Sequence, residues 1–193
     1  MAIQINGNGT ITGISAGGLP AGTVTAATLA SGVGGKILQV KSVTLNDAVS
    51  ANAAGSTTFA DIAGMSITLT PAASTSKMLI TSHLNYSCTH TGRNDFIRIT
   101  KDGSAVSAAV GTSGVSANGM NYGRTSYTNE TRIHSMMHLD TAGTTNAITY
   151  KLQWSGEQSG SDTTTRYLNR RGSSTSHGSV SSFTIMEVAA RVQ

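Results

Sequence analysis

This sequence is poor in the residues that staple, stiffen or charge a protein. It has one cysteine, Cys88, in 193 residues, so no disulfide can form within the chain. It has two prolines, 5% aromatic residues and 11% charged residues, where about a quarter is usual. No apolar run approaches the roughly 20 residues that span a bilayer, so membrane insertion is not expected. The low charge and the wealth of Gly, Ser, Thr, Ala and Asn are unusual for a metabolic enzyme. They suit an extracellular or virion β-protein, whose strands and turns use such residues. The net charge of +4 is modest and dispersed, which falls short of a nucleic-acid footprint.

The first charged residue is Lys36, and nothing aromatic precedes it. Ile3, Ile5, Ile11, Ile14, Leu19, Val24, Leu29 and Val33 are scattered among small residues. Ordering each residue costs roughly 1–2 kcal/mol of backbone entropy, which isolated aliphatics do not offset. Residues 1–35 are therefore expected to be ordered by a partner or by copies of the same chain. Ile3, Ile5, Ile11, Ile14 and Leu19 are the candidate attachment residues. The segment lacks the basic and continuous apolar regions of a signal peptide, so export is not expected. Gly34-Gly35 reads as a hinge, which divides the chain into an attachment or trimerisation segment, 1–35, and a main domain, 36–193.

In the main domain the clear apolar period is two, and no convincing helix is seen. Ile37 to Leu45 and Phe59 to Ile62 read as strands. Met65, Ile67 and Leu69 alternate with Ser66, Thr68 and Thr70. Met78, Ile80, Leu84, Tyr86 and Cys88 share a face opposite Lys77, Thr81, His83 and Asn85. Asp102-Gly103 is a hairpin signal between Phe96–Lys101 and a return strand at Val106–Val110. Gly111 to Asn129 reads as an exposed loop, with room for a short strand inside it. Ile133, Met137 and Leu139 mark another strand. Ile148, Tyr150, Leu152 and Trp154 make the most regular one, and Phe183 to Val188 closes the domain. The predicted fold is all-β, a jelly-roll β-sandwich behind an extended Gly/Ala/Thr-rich segment. Its predicted core is Val43, Leu45, Met65, Ile67, Leu69, Ile80, Leu84, Ile97, Ile99, Leu139, Tyr150, Leu152, Trp154 and Ile185.

Several short motifs carry a resemblance. Ser66-Ile67-Thr68-Leu69-Thr70-Pro71 with Ser74-Thr75-Ser76-Lys77-Met78-Leu79-Ile80 resembles the early strands of small jelly rolls in bacteriophage tail-fibre and virion-appendage proteins, those of marine and cyanobacterial phages above all. Ile148 to Trp154 and Ser182 to Val188 are similar to their late strands, and Ala2 to Gly7 to their opening. The resemblance implies a homotrimer of jelly rolls with heads of the C1q/TNF type. It implies an N-terminal part that docks on other tail or capsid proteins, assembly in the host cytoplasm, and a head that meets host surface polysaccharide. The expected function is a short trimeric tail fibre. The alternatives are a capsid decoration or head-fibre protein that stabilises the shell, a secreted C1q-like adhesin, and a polysaccharide depolymerase.

No enzyme motif, phosphate loop or zinc spacing is present, and the nine acidic residues are scattered. No catalytic residue and no cofactor are expected. Tyr122, Arg124, Tyr127 and Asn129 offer flat rings, an amide and a guanidinium, the chemistry that binds sugars. Arg166, Arg170 and Arg171, near Tyr167 and Asn169, form a second candidate glycan site suited to anionic sugars. His134 and His138 lie on one strand face, about 13 Å apart, so a single chain cannot bridge them with one metal. Each could contribute to a ring of imidazoles on a threefold axis. Strand parity sets His83 on the face opposite Cys88 and His90, and Cys88 reads as a small buried hydrophobe.

Overall fold

The computed structural model describes residues 4–5, 11–12, 37–52, 55–112, 119–156, 164–172 and 178–190. The chain divides into two compact units, 1–36 with 191–193, and 37–190. In the first, β1 (Gln4–Ile5) and β2 (Ile11–Thr12) pair antiparallel, with Ile5 opposite Ile11. Ile3, Ile14 and Leu19 lie outside the described residues.

The second unit is a two-sheet sandwich of β3 (Ile37–Leu45), β4 (Val49–Asn52), β5 (Gly55–Leu69), β6 (Lys77–Cys88), β7 (Asn94–Lys101), β8 (Ser104–Ala105), β9 (Asn121–Arg124), β10 (Thr131–Thr141), β11 (Ile148–Gly156), β12 (Thr165–Leu168) and β13 (Ser181–Val188). One sheet runs β3-β13-β6-β10, and the short β12 and β4 extend it beside the end of β6. The other runs β5-β11-β7, flanked by β8 and β9. From β4 to β7 and from β9 to β12 the chain passes back and forth between the sheets, as in a jelly roll, and every pairing among the described strands is antiparallel.

The period-two pattern builds the core directly. The odd residues of β13, Phe183 and Ile185, are buried, as are Ile97 and Ile99 of β7 and Tyr150, Leu152 and Trp154 of β11. Val43 and Leu45 pack on this core half-buried. Asp102 and Gly103 both have positive φ, 50° and 86°, the geometry of the tight hairpin turn that the pair signals.

Three expectations are corrected. Phe59–Ile62 and Met65–Leu69 belong to one strand, β5, which bulges where Gln153 opposes Asp61 and Lys151 opposes Ser66. Gly64, at φ 81°, supplies the left-handed turn inside the bulge. Val106–Val110 is not a return strand. Pairing after the turn stops at Ala105, and Ser107–Ala109 forms one 3-10 turn as the chain leaves the sheet. Leu139 is not core. It is 55% exposed, because β10 buries His134 and Met136 and turns Ile133, Met137 and Leu139 outward. Hydrophobicity alone points to the wrong face of this strand.

The core is closed at the Met78 end by two carboxylates, Glu187 on β13 and Asp140 on β10, which flank Met78 in the sheet. Burial pushes Glu187 up, but donors from Gln39, Ser76 and the Ala72 and Ala73 backbone outweigh it and hold the carboxyl below its ordinary range. Burial likewise pushes Asp140 up, and bonds from Tyr150, Lys101 and the Thr141 backbone bring it below the usual value. The Tyr150 hydroxyl donates to Asp140 at 2.7 Å and Lys101 Nζ at 3.0 Å. A group with a depressed folded-state pKa contributes stability above its unfolded value, and this is lost as pH falls through the folded value. Stability is therefore expected to fall below about pH 4. Urea titrations across acid pH check this, and Glu187→Gln should shrink the acid-dependent part of the loss. An unchanged acid profile in that variant would argue against Glu187 as a contributor.

Candidate functional site

The opposite end of the sandwich holds the predicted sugar-binding residues, and it is built on a buried polar cluster. On β9, alternation sends Tyr122 and Arg124 outward and Gly123 inward. Gly123 is required by what lies beneath it: a Cβ there would come 2.7 Å from Asp95 Oδ2 and 2.9 Å from His134 Cε1. Asp95 and His134 are 1% and 2% exposed, with His134 Nε2 2.6 Å from Asp95 Oδ2. The other ring nitrogen, Nδ1, lies 2.5 Å from Asn121 Oδ1. The Asn121 amide donates to the Ser135 carbonyl at 3.3 Å, which fixes its oxygen toward the ring. Tyr86 meets the imidazole edge-on at 5.3 Å.

Arg166, on β12, enters the same interior and is 2% exposed. Burial pushes the Tyr86 hydroxyl well up, and the Asp95 charge adds to this, while the Arg166 charge and hydrogen bond pull it back. One acid and two nitrogen bases thus surround a buried phenol. Such a cluster specifies one arrangement of the strands that bring it together, since a misplaced member leaves a buried charge unpaired.

The rim above is tied down residue by residue. Thr125 is fully buried, and its hydroxyl donates to the His90 carbonyl at 2.9 Å. The Thr125 carbonyl accepts from Gly92 N–H at 2.7 Å, which fastens the loop after β6 to the end of β9. Glu130 accepts from the backbone N–H of Ser126 at 2.6 Å and of Tyr127 at 3.2 Å. The Ser126 bond is the main reason its carboxyl lies below the ordinary range. Asn129 takes φ 63°, and its backbone N–H donates to the Cys88 carbonyl at 3.1 Å. On this frame Tyr127 is 76% and Tyr122 59% exposed. The Tyr122 ring leans on Phe96 at 5.4 Å, and its hydroxyl donates to Asn94 at 2.8 Å.

The two predicted sugar sites meet. A Cβ at Gly172 would fall 2.1 Å from Asn129 Oδ1, so Asn129 lies against the turn that carries Arg170 and Arg171. Arg171 is exposed, and Arg170 stacks on Tyr167 at 4.5 Å and donates to the Gly172 carbonyl. Arg166 is corrected: it points between the sheets and cannot touch a sugar in solvent. Asn169 is 2% exposed and bonds the carbonyls of Leu45 and Asp47, a clamp between segments. His134 is also corrected, since an imidazole enclosed by Asp95 and Asn121 cannot reach a threefold axis on the surface. His138 is half-buried. Among the described residues no group of His, Cys, Asp or Glu is arranged to hold a metal ion. His83 is exposed and Cys88 buried, as strand parity requires. Among the described residues no helix is long and apolar enough to cross a membrane.

Asp95 is the member of this site that sequence reading missed. It stands among scattered acids in the chain, and only the packing of β7 against β10 brings it to His134. Asn121, in contrast, falls in the segment Gly111 to Asn129 that the sequence marks as exposed.

The fold defines the chain as a jelly-roll β-sandwich protein. No protein-family model and no curated protein matches it. Solved structures that it resembles include infectious bursal disease virus of the Gt strain, at TM-score 0.42 and 15% identity over 79% of this chain and 38% of that one. The Gx strain gives TM-score 0.42 and 15% identity, covering 79% and 37%. The VP2 subviral particle of the same virus gives 0.40 and 13%, covering 80% and 39%. This chain spans less than two-fifths of each of these chains, and a likeness of this order carries no argument about its role.

Proposed function

We propose that this protein is a structural, non-catalytic component of a bacteriophage virion. It acts as a short trimeric fibre whose residues 1–35 attach to the particle and whose jelly roll faces outward to meet host surface glycans. The observation that carries this reading is the combination of a helix-poor antiparallel jelly roll with a chain of only 11% charged residues. Neutral, Ser/Thr-rich sheets suit repeated protein-to-protein contact, because few charges must be desolvated. The motifs that resemble fibre heads centre on β5, β6, β11 and β13 of this sandwich. Mass spectrometry and subunit-resolution imaging of purified particles test the role. The protein is expected on the tail, and its absence from every particle would overturn the reading.

The glycan part rests on the rigid rim. Asn129 lies against the turn that carries Arg170 and Arg171, and with Tyr122, Arg124 and Tyr127 it suits a sugar ring stacked on Tyr with hydroxyl or acidic groups on Arg and Asn. Tyr127→Ala is expected to weaken binding to host surface polysaccharide by roughly tenfold, with an unchanged melting temperature. Equal binding by both forms would remove Tyr127 from the site.

A further inference from the structure

The two outer faces of the sandwich differ in kind. On the β5-β11-β7 sheet the outward side chains form a charged network. Arg98 donates to Gln153 at 2.9 Å, Gln153 to Asp61 at 2.7 Å, and Lys151 to Asp61 at 2.7 Å. Arg98 also lies 3.9 Å over the Phe59 ring. That face is built for water.

The outer face of β3-β13-β6-β10 is the reverse. The registers align Val40 with Met186, Met186 with Leu79, and Leu79 with Leu139, one apolar row across four strands. The next row is Ser42, Thr184, Thr81 and Met137. Leu38 and Val40 are 45% and 54% exposed, Met137 71%, Leu139 55% and Ile133 61%. Among the outward residues of these strands Lys77 and His83 are the titratable ones. Lys77 sits at the margin, bonded to Thr141 at 2.6 Å.

We propose that this face is where copies of the chain pack against one another. Four strands about 4.8 Å apart and about ten residues at about 3.4 Å give a flat area of roughly 650 Å², near the roughly 800 Å² per partner of a standard interface. Within that area the exposed Leu38, Val40, Ile133, Met137 and Leu139 are the side chains that contact with another surface would take out of water. Charge selects the occupant. The centre of the face offers no ion-pair partner to a charged surface, whereas a second copy brings the same neutral rows and no like-charge contact. A homo-oligomer also needs a surface that complements itself or a neighbouring part of an identical face. The proposal deepens the virion reading and depends on it only for the expectation that the chain works as an oligomer.

Sedimentation of the full chain tests it. The unsubstituted protein is expected to be an oligomer. Met137→Glu with Leu139→Glu is expected to give folded monomers, with the circular dichroism of the parent. Ser66→Glu, outward on the other sheet, should leave the oligomer intact. The milder pair Met137→Ser and Leu139→Ser guards against misfolding and should raise the dissociation constant by at least about tenfold. A monomeric parent, or an oligomer that survives both double substitutions, overturns the proposal. An oligomer that depends on this face but occurs on no particle would sink the virion role and leave the interface standing.

Discussion

Gly156→Ala is expected to lower the melting temperature of the jelly roll by roughly 6–12 °C, a loss of about 3 kcal/mol. Gly156 ends β11, where a Cβ would fall 1.8 Å from Arg166 Nη2, 2.4 Å from Cζ and 2.5 Å from Nε. The whole guanidinium occupies the space a side chain would take. In an exposed arginine such a clash is relieved by a rotamer change. Arg166 is 2% exposed and packs beside Tyr86, so moving it means withdrawing a buried cation from its surroundings. Overpacking then adds to the cost of an unpaired charge. A double substitution separates the two. Gly156→Ala in an Arg166→Met background should cost much less than in the parent, since the flexible thioether can yield. Additive effects in calorimetric melts would show that Gly156 and Arg166 are not coupled.

The second large effect is expected at Asp95. Asp95→Ala should destabilise by about 1–3 kcal/mol, the scale for leaving a buried polar group without its partner. Asp95 lies 2.6 Å from His134 Nε2 and is 1% exposed, so no water reaches the imidazole to replace it. Asp95→Asn keeps the shape and removes only the charge. It should recover part of the loss if hydrogen bonding matters, and little of it if charge dominates. Chemical denaturation at neutral pH measures both. A denaturation midpoint unchanged in Asp95→Ala would mean that the cluster does not help to hold this end of the sandwich together. The same substitution should loosen the rim, because Asp95 lies under Gly123 and so under Tyr122 and Arg124.

The class of fold and most of its strands were legible in the chain. Period-two alternation is a local property: consecutive Cβ atoms point to opposite sides of a strand whatever the partner. That is why β6, β11 and β13 could be read from Met78 to Cys88, Ile148 to Trp154 and Phe183 to Val188, and why Asp102-Gly103 announced a turn. Residue spacing says which side chains share a face, but not which face is covered. On β10 the sequence separates His134 and His138 from Ile133, Met137 and Leu139, as the structure does. It cannot say that the sandwich interior takes the histidine side.

The structure decided this because a second sheet supplies Asp95 and Asn121 at the right depth for His134. An imidazole with a polar group close to each nitrogen can be buried, while Leu139 stays outside on a neutral row. The same holds for Arg166, which the chain shows only as one of several arginines near Tyr167. Its burial depends on β12 joining β6 and on Gly156 leaving room from the opposite sheet. The sequence by itself determined an all-β chain of low charge, with its turns and most strand faces, because those follow from local geometry and composition. Only the tertiary structure decided which face meets the core, which polar groups are sealed beneath the rim, and which sheet is left apolar. Each of those depends on side chains far apart in the chain being packed at the same depth.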